Sequence, residues 1–185
     1  MQVYENKRPC GHTLSLNLER TMNKAGNKNN ISKESVGLAG EYAVAAELCR
    51  RGFYAQLTLG NHKKTDLIVE RPITKFGRNL FRVSVKAKTG PTWPRVTGIW
   101  EEGDLLVFVD FKGKPDEARP DFYVLTVPDW KETVKELKRT KEDGAKIDKT
   151  NTLFWEPWND NEKGWYGCSV SVANIKNHKD AWPAC

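Results

Sequence analysis

Residues 80–88, LFRVSVKAK, alternate apolar and polar side chains along their length. Phe81, Val83, Val85 and Ala87 share one side and Arg82, Ser84, Lys86 and Lys88 the other, the period of two of a β-strand with a packed face. Two β-rich runs precede it, FYAQLTL at 53–59 and TDLIVE at 65–70, and two nearly continuous apolar runs follow, DLLVFVDF at 104–111 and DFYVLTV at 121–127. Apolar runs of that length suit interior strands covered on both faces. The pattern predicts a five-stranded sheet, with the polar GNHKK at 60–64 and PITKFGRN at 72–79 as connections.

Two helical patterns bracket this sheet. ESVGLAGEYAVAAELCRR at 34–51 carries Ala, Leu, Val and Glu at helical density, with Ser32 or Ser35 as caps and Gly52 as the stop. DWKETVKELKRTKED at 129–143 places Trp130, Val134 and Leu137 at i, i+4 and i+7 behind Pro128, and its charged side faces away. The fold class is therefore α/β, a mixed five-stranded sheet flanked by helices. TLFWEPW at 152–158 and GWYGCSVSV at 164–172 predict one or two further short strands.

The 185 residues suffice for one domain and a tail. RTMNKAGNKNNISK at 20–33 is rich in Asn and Lys and poor in apolar positions, so 1–33 is expected to be a flexible basic extension and 34–185 a single domain. A mean hydropathy of −0.66 and the lack of an apolar run near ~20 residues exclude a membrane helix. The opening MQVYENKRPCGHT has no apolar core of the kind a secretory leader needs, and a cytoplasmic setting is the expectation. Cys10, Cys49, Cys168 and Cys185 form no C-x-x-C pair, which argues against a zinc knuckle or a disulfide framework. Cys10 and His12 have no second half of a metal site at usable spacing.

The net charge of +6 is unevenly placed. Residues 60–95 hold nine basic and two acidic side chains, whereas 96–185 hold thirteen basic and seventeen acidic. Lys63, Lys64, Arg71, Lys75, Arg78, Arg82, Lys86, Lys88 and Arg95 make up that basic stretch, a composition that attracts a nucleic-acid backbone or forms a solvated face. Trp93, between Pro91 and Pro94, and Trp100 follow, placed either to stack on a base or to cover the sheet edge.

Within this basic stretch and the helix before it, four polar residues stand where packing alone would prefer something else. Glu41 has Leu38, Val44, Ala45 and Leu48 as helical neighbours, and a carboxylate on such a stripe needs a partner or a metal. Glu47 has Arg50 and Arg51 three and four residues on, the pattern of an ordinary solvated helix face. Asp66 opens the LIV run, either as a turn residue or as a functional group. Ser84 and Lys86, two apart on one strand, share a face and can reach one substrate atom. His62 lies four residues before Asp66, as an auxiliary base or simply a loop histidine.

In this order, GLAGEY (37–42) on a helix, TDLIV (65–69) on a strand and VSVKAK (83–88) on the next, the chain resembles the PD-(D/E)XK nuclease superfamily over residues 34–145. It looks most like the restriction-endonuclease-like and archaeal Holliday-junction-resolvase-like members. The resemblance implies a restriction-endonuclease-like core and a Mg²⁺- or Mn²⁺-dependent endonuclease hydrolysing DNA. Glu41, Asp66, Ser84 and Lys86 would be its catalytic residues, and Glu41, Asp66 and the Val85 carbonyl its metal ligands. It implies DNA contacts from Lys63, Lys64, Arg82, Lys88 and Arg95, and a homodimer that cuts both strands. Ser84 is a departure, standing where the family has Glu, Asp or Gln; a short neutral ligand holds Mg²⁺ less well than a carboxylate. Two other readings stay open: a nuclease-like module that binds nucleic acid or protein without cutting, and a structural Glu41–Lys86 ion pair beside a surface for an acidic protein.

Overall fold

A computed structural model describes residues 31–58, 65–71, 80–140, 144–157 and 164–183. The chain divides between Ser32 and Lys33, close to the boundary expected from composition. Cys10, His12, His62, Lys63, Lys64, Lys75 and Arg78 lie outside the described residues.

The five strands form where the alternation places them: β1 (Tyr54–Leu57), β2 (Leu67–Glu70), β3 (Leu80–Lys88), β5 (Leu105–Asp110) and β6 (Asp121–Thr126). Their order is β1-β2-β3-β5-β6, antiparallel except for the parallel β3–β5 pair. A parallel pair needs a crossover. Here it contains β4 (Thr92–Val96), which leaves the sheet and pairs with β10 (Cys168–Ser171). β4 tolerates Pro94 because it sits in a separate two-stranded ribbon.

Helix α1 (Lys33–Arg50) covers one face, with Val44 and Leu48 against Leu67, Val69, Val83, Val85, Val107 and Val124. Helix α2 (Val127–Arg139) covers the other, with Trp130, Val134 and Leu137 against Leu106, Phe108 and Leu125. It starts one residue before the expected Pro128. Thr126 and Asp129 close a capping box in which the Asp129 carboxylate accepts from Thr126 N at 2.9 Å. The short strands β7 (Lys146–Ile147), β8 (Leu153–Trp155) and β9 (Trp165–Tyr166) form a third sheet, followed by a helical turn α3 (Val172–Ile175). Among the described residues no helix is long and apolar enough to cross a membrane.

Four expectations are corrected. Lys88 does not face outward: only 4% exposed, it pairs with Asp110 at 2.6 Å and lies 4.3 Å from the Trp93 ring centroid. Trp93 itself is 1% exposed, donates to the Val109 carbonyl at 3.2 Å, and offers no surface for stacking. Glu47 is 7% exposed rather than solvated. It binds Arg119, 72 residues away in sequence, at 3.0 Å, with Arg50 and Arg51 at 3.2 and 3.4 Å. The hydrogen-bonded Arg119 guanidinium holds the Glu47 carboxyl below the usual range. Leu38, expected on the apolar stripe, is exposed, and the stripe's place is taken by Gly40, Val44, Glu47 and Leu48.

Gly40 sets the height of α1 above the sheet, because a Cβ there would meet the Ala87 Cβ at 2.5 Å. Gly40→Ala is therefore expected to lower stability by about 1–3 kcal/mol despite its better helix propensity. Adding Ala87→Gly should restore much of the loss in urea unfolding, whereas Ala87→Gly alone should not stabilise.

Candidate active site

The site lies where β2 departs from β3. Their ladder runs from Glu70↔Leu80 to Leu67↔Val83, and Asp66 N still donates to Val83 O at 3.0 Å. Two residues beyond Val83, Val85 N bonds to the Asp66 side chain, at Oδ2, at 2.6 Å. The aspartate side chain thus completes the ladder and is fixed in front of Ser84, Val85 and Lys86. This goes beyond the turn role that a strand-opening aspartate ordinarily has.

Ser84 and Lys86 project from the same face of β3, as the alternation required. Ser84, 5% exposed, has its hydroxyl 3.4 Å from Asp66 Oδ2. The Lys86 ammonium donates to Ser84 Oγ at 3.3 Å and to the Val85 carbonyl at 3.0 Å, and lies 3.9 Å from Asp66 Oδ2. It is about a third exposed and so remains open to a ligand.

Glu41 comes from α1, brought down by the close approach of Gly40 to β3. Burial pushes its carboxyl up from the ordinary 4.5; the nearby Asp66 charge adds to that rise and Lys86 opposes it. Among the described residues Glu41 makes no salt bridge, so the structural Glu41–Lys86 pair is not what forms. The Asp66 carboxylate lies beside the Lys86 ammonium, and the charges of both act on the Glu41 carboxyl.

No family model, curated protein or solved structure matches this chain. What the site does has to follow from its own chemistry. Among the described residues no group of three or more His, Cys, Asp or Glu side chains gathers to hold a metal ion. Glu41, Asp66 and the Val85 carbonyl are nonetheless hard oxygen donors, and Mg²⁺ commonly takes one or two carboxylates and completes its shell with water and phosphate oxygens. The present cation, Lys86 Nζ, already contacts Asp66, Ser84 and Val85, which shows that the cluster accepts positive charge.

Two of the described members of the basic stretch, Arg82 and Lys88, are already paired. Arg82 is gripped by Asp104 at 2.9 and 2.6 Å with Glu101 at 3.2 Å, and its guanidinium lies 5.6 Å from the Trp100 ring. Its charge is matched in place, as is that of buried Lys88. Arg95 is exposed and stacks 4.5 Å from the Trp165 ring, a pairing that no local pattern announced. Gly40 was also missed; its signal was the small-residue run GLAG before Glu41.

A raised carboxyl means that stability is fullest below pH 4.5 and diminishes as pH rises through the elevated pKa of Glu41. Glu41→Gln removes that penalty. Its thermal midpoint should exceed that of the wild type at pH 7 by up to about 3 °C, and the difference should vanish at pH 4. Differential scanning fluorimetry across pH checks it; an equal or lower midpoint at pH 7 counts against the burial of Glu41.

Proposed function

We propose that this chain is a divalent-metal-dependent endonuclease that hydrolyses DNA phosphodiester bonds on a restriction-endonuclease-like core of the PD-(D/E)XK type. The observation that carries this reading is the clustering of Asp66, Ser84 and Lys86 where β2 leaves β3, with Glu41 near enough for the Asp66 and Lys86 charges to act on it.

Glu41, Asp66 and the Val85 carbonyl would hold Mg²⁺ or Mn²⁺. A bound ion supplies charge stabilisation at the phosphate and an acidified water. The protein's own groups do the positioning. Asp66 is held by the Val85 N–H with one fixed orientation, so its carboxylate needs little rearrangement when a phosphate arrives. The Lys86 ammonium, tethered by Ser84 and Val85, is free to transfer its donors to a phosphate oxygen or to the attacking water. A homodimer would present one such site to each strand.

The second reading, a module that binds nucleic acid without cutting it, draws on Ser84. With serine at that position the cluster has only two carboxylates, and Lys86 already bonds the carbonyl that a cation would use.

Plasmid cleavage separates the two. The nuclease reading expects nicking that requires Mg²⁺ or Mn²⁺ and falls at least about a hundredfold in Asp66→Ala and in Lys86→Ala. Ser84→Glu, which adds a third carboxylate, should cut equally well or faster. Binding without cleavage in both metals, in wild type and Ser84→Glu alike, favours the second reading.

A further inference from the structure

A second cluster lies apart from the carboxylates, on the small C-terminal sheet. The β8–β9 register pairs Phe154 with Tyr166 and Trp155 with Trp165, so each face of this ribbon carries an aromatic pair. On one face Phe154 and Tyr166 are stacked, ring centroids 5.5 Å apart and 12° from parallel. On the other, Trp165 lies under the Arg95 guanidinium at 4.5 Å. Trp165 and Tyr166 are 51% and 54% exposed, although rings of this size usually bury most of their area.

Arg95 is held in place by its backbone. Its φ is 53°, the left-handed region that an arginine rarely adopts. The neighbouring strand explains how that conformation is enforced: a Cβ at Gly167, itself at φ 92°, would approach the Arg95 backbone to 2.8 Å. β10 is thus packed directly onto Arg95, and the register between β4 and β10 shifts beside it, between Cys168 and Val170. The left-handed backbone accompanies that register shift and leaves the Arg95 side chain exposed, with no ion pair among the described residues. The Trp165 indole N–H donates to the Gly167 carbonyl at 3.1 Å, which fixes the ring beneath Arg95 while the residue stays 51% exposed.

We infer that Arg95 and Trp165 form a binding site for an unpaired nucleotide, the base stacking on the Trp165 indole and its phosphate pairing with the Arg95 guanidinium. A flat exposed ring beside an unmatched guanidinium suits a ligand that is planar at one end and anionic at the other. A duplex keeps its bases stacked inside and cannot offer one to Trp165. The inference rests on the nuclease reading for its nucleic-acid partner and adds to it a substrate class: DNA with a single-stranded end, flap or bubble.

The test is fluorescence anisotropy with a labelled oligo-dT of about 16 nucleotides and a hairpin duplex, in EDTA so that cleavage does not intervene. The full chain should bind oligo-dT, and Trp165→Ala should weaken that binding about tenfold or more while duplex affinity changes less than about twofold. Arg95→Gly relaxes the strained backbone and therefore folds; it should weaken oligo-dT binding and flatten its salt dependence by about one counterion. Trp165→Phe, which keeps a ring, should recover part of the affinity. Wild-type affinity for oligo-dT in both Trp165→Ala and Arg95→Gly overturns the inference, as does absence of single-strand binding by the wild type or an equal loss on duplex. An inactive wild type that still binds through Trp165 sinks the nuclease reading alone.

Discussion

The 2.6 Å hydrogen bond from Val85 N to Asp66 Oδ2 is the contact on which the site depends. It terminates the β2–β3 ladder with a side chain instead of a main-chain carbonyl. Without it Val85 would carry an unpaired donor at the edge of a buried strand, and the chain before β2 would have no fixed exit. With it, a carboxylate stands over the one stretch of β3 whose outward residues are Ser84 and Lys86. The parallel β3–β5 pairing then carries the strand on to Lys88, whose ammonium is sealed in by Asp110 and Trp93. Two lysines two residues apart thus meet opposite fates, one at a site open to ligand and one in the core.

The electrostatics follow from that arrangement. Burial and the Asp66 charge raise the cost of ionising Glu41, and Lys86 offsets only part of it. A cluster left short of positive charge attracts a cation, and when that cation is a metal ion the spare coordination sites suit an anionic ester. The basic stretch around it contributes less field than a residue count implies, since Arg82 and Lys88 are matched by Asp104 and Asp110. Arg95 keeps its charge at the surface, next to an aromatic ring, and there the stretch still has charge to offer a partner.

Much of this was legible in the sequence because the signals were local. All five strands of the main sheet and both long helices lie where periodicity put them, and Ser84 and Lys86 share a face for the same reason. What escaped was set by distant partners. Glu47 reads as a surface residue until Arg119 arrives from a loop between β5 and β6. Lys88 reads as outward-facing because alternation cannot tell a solvent face from one covered by another layer. β4 was hidden by Pro94, and the Arg95–Trp165 pair by seventy residues of intervening chain and an unusual backbone angle.

The most direct measurement is a crystal structure soaked in Mn²⁺, with anomalous differences collected at the manganese edge. The account predicts a peak against the Glu41 and Asp66 carboxylates and the Val85 carbonyl, with Lys86 Nζ moved off that carbonyl. A site with no peak at saturating Mn²⁺, and Lys86 still bonded to Val85, would contradict it.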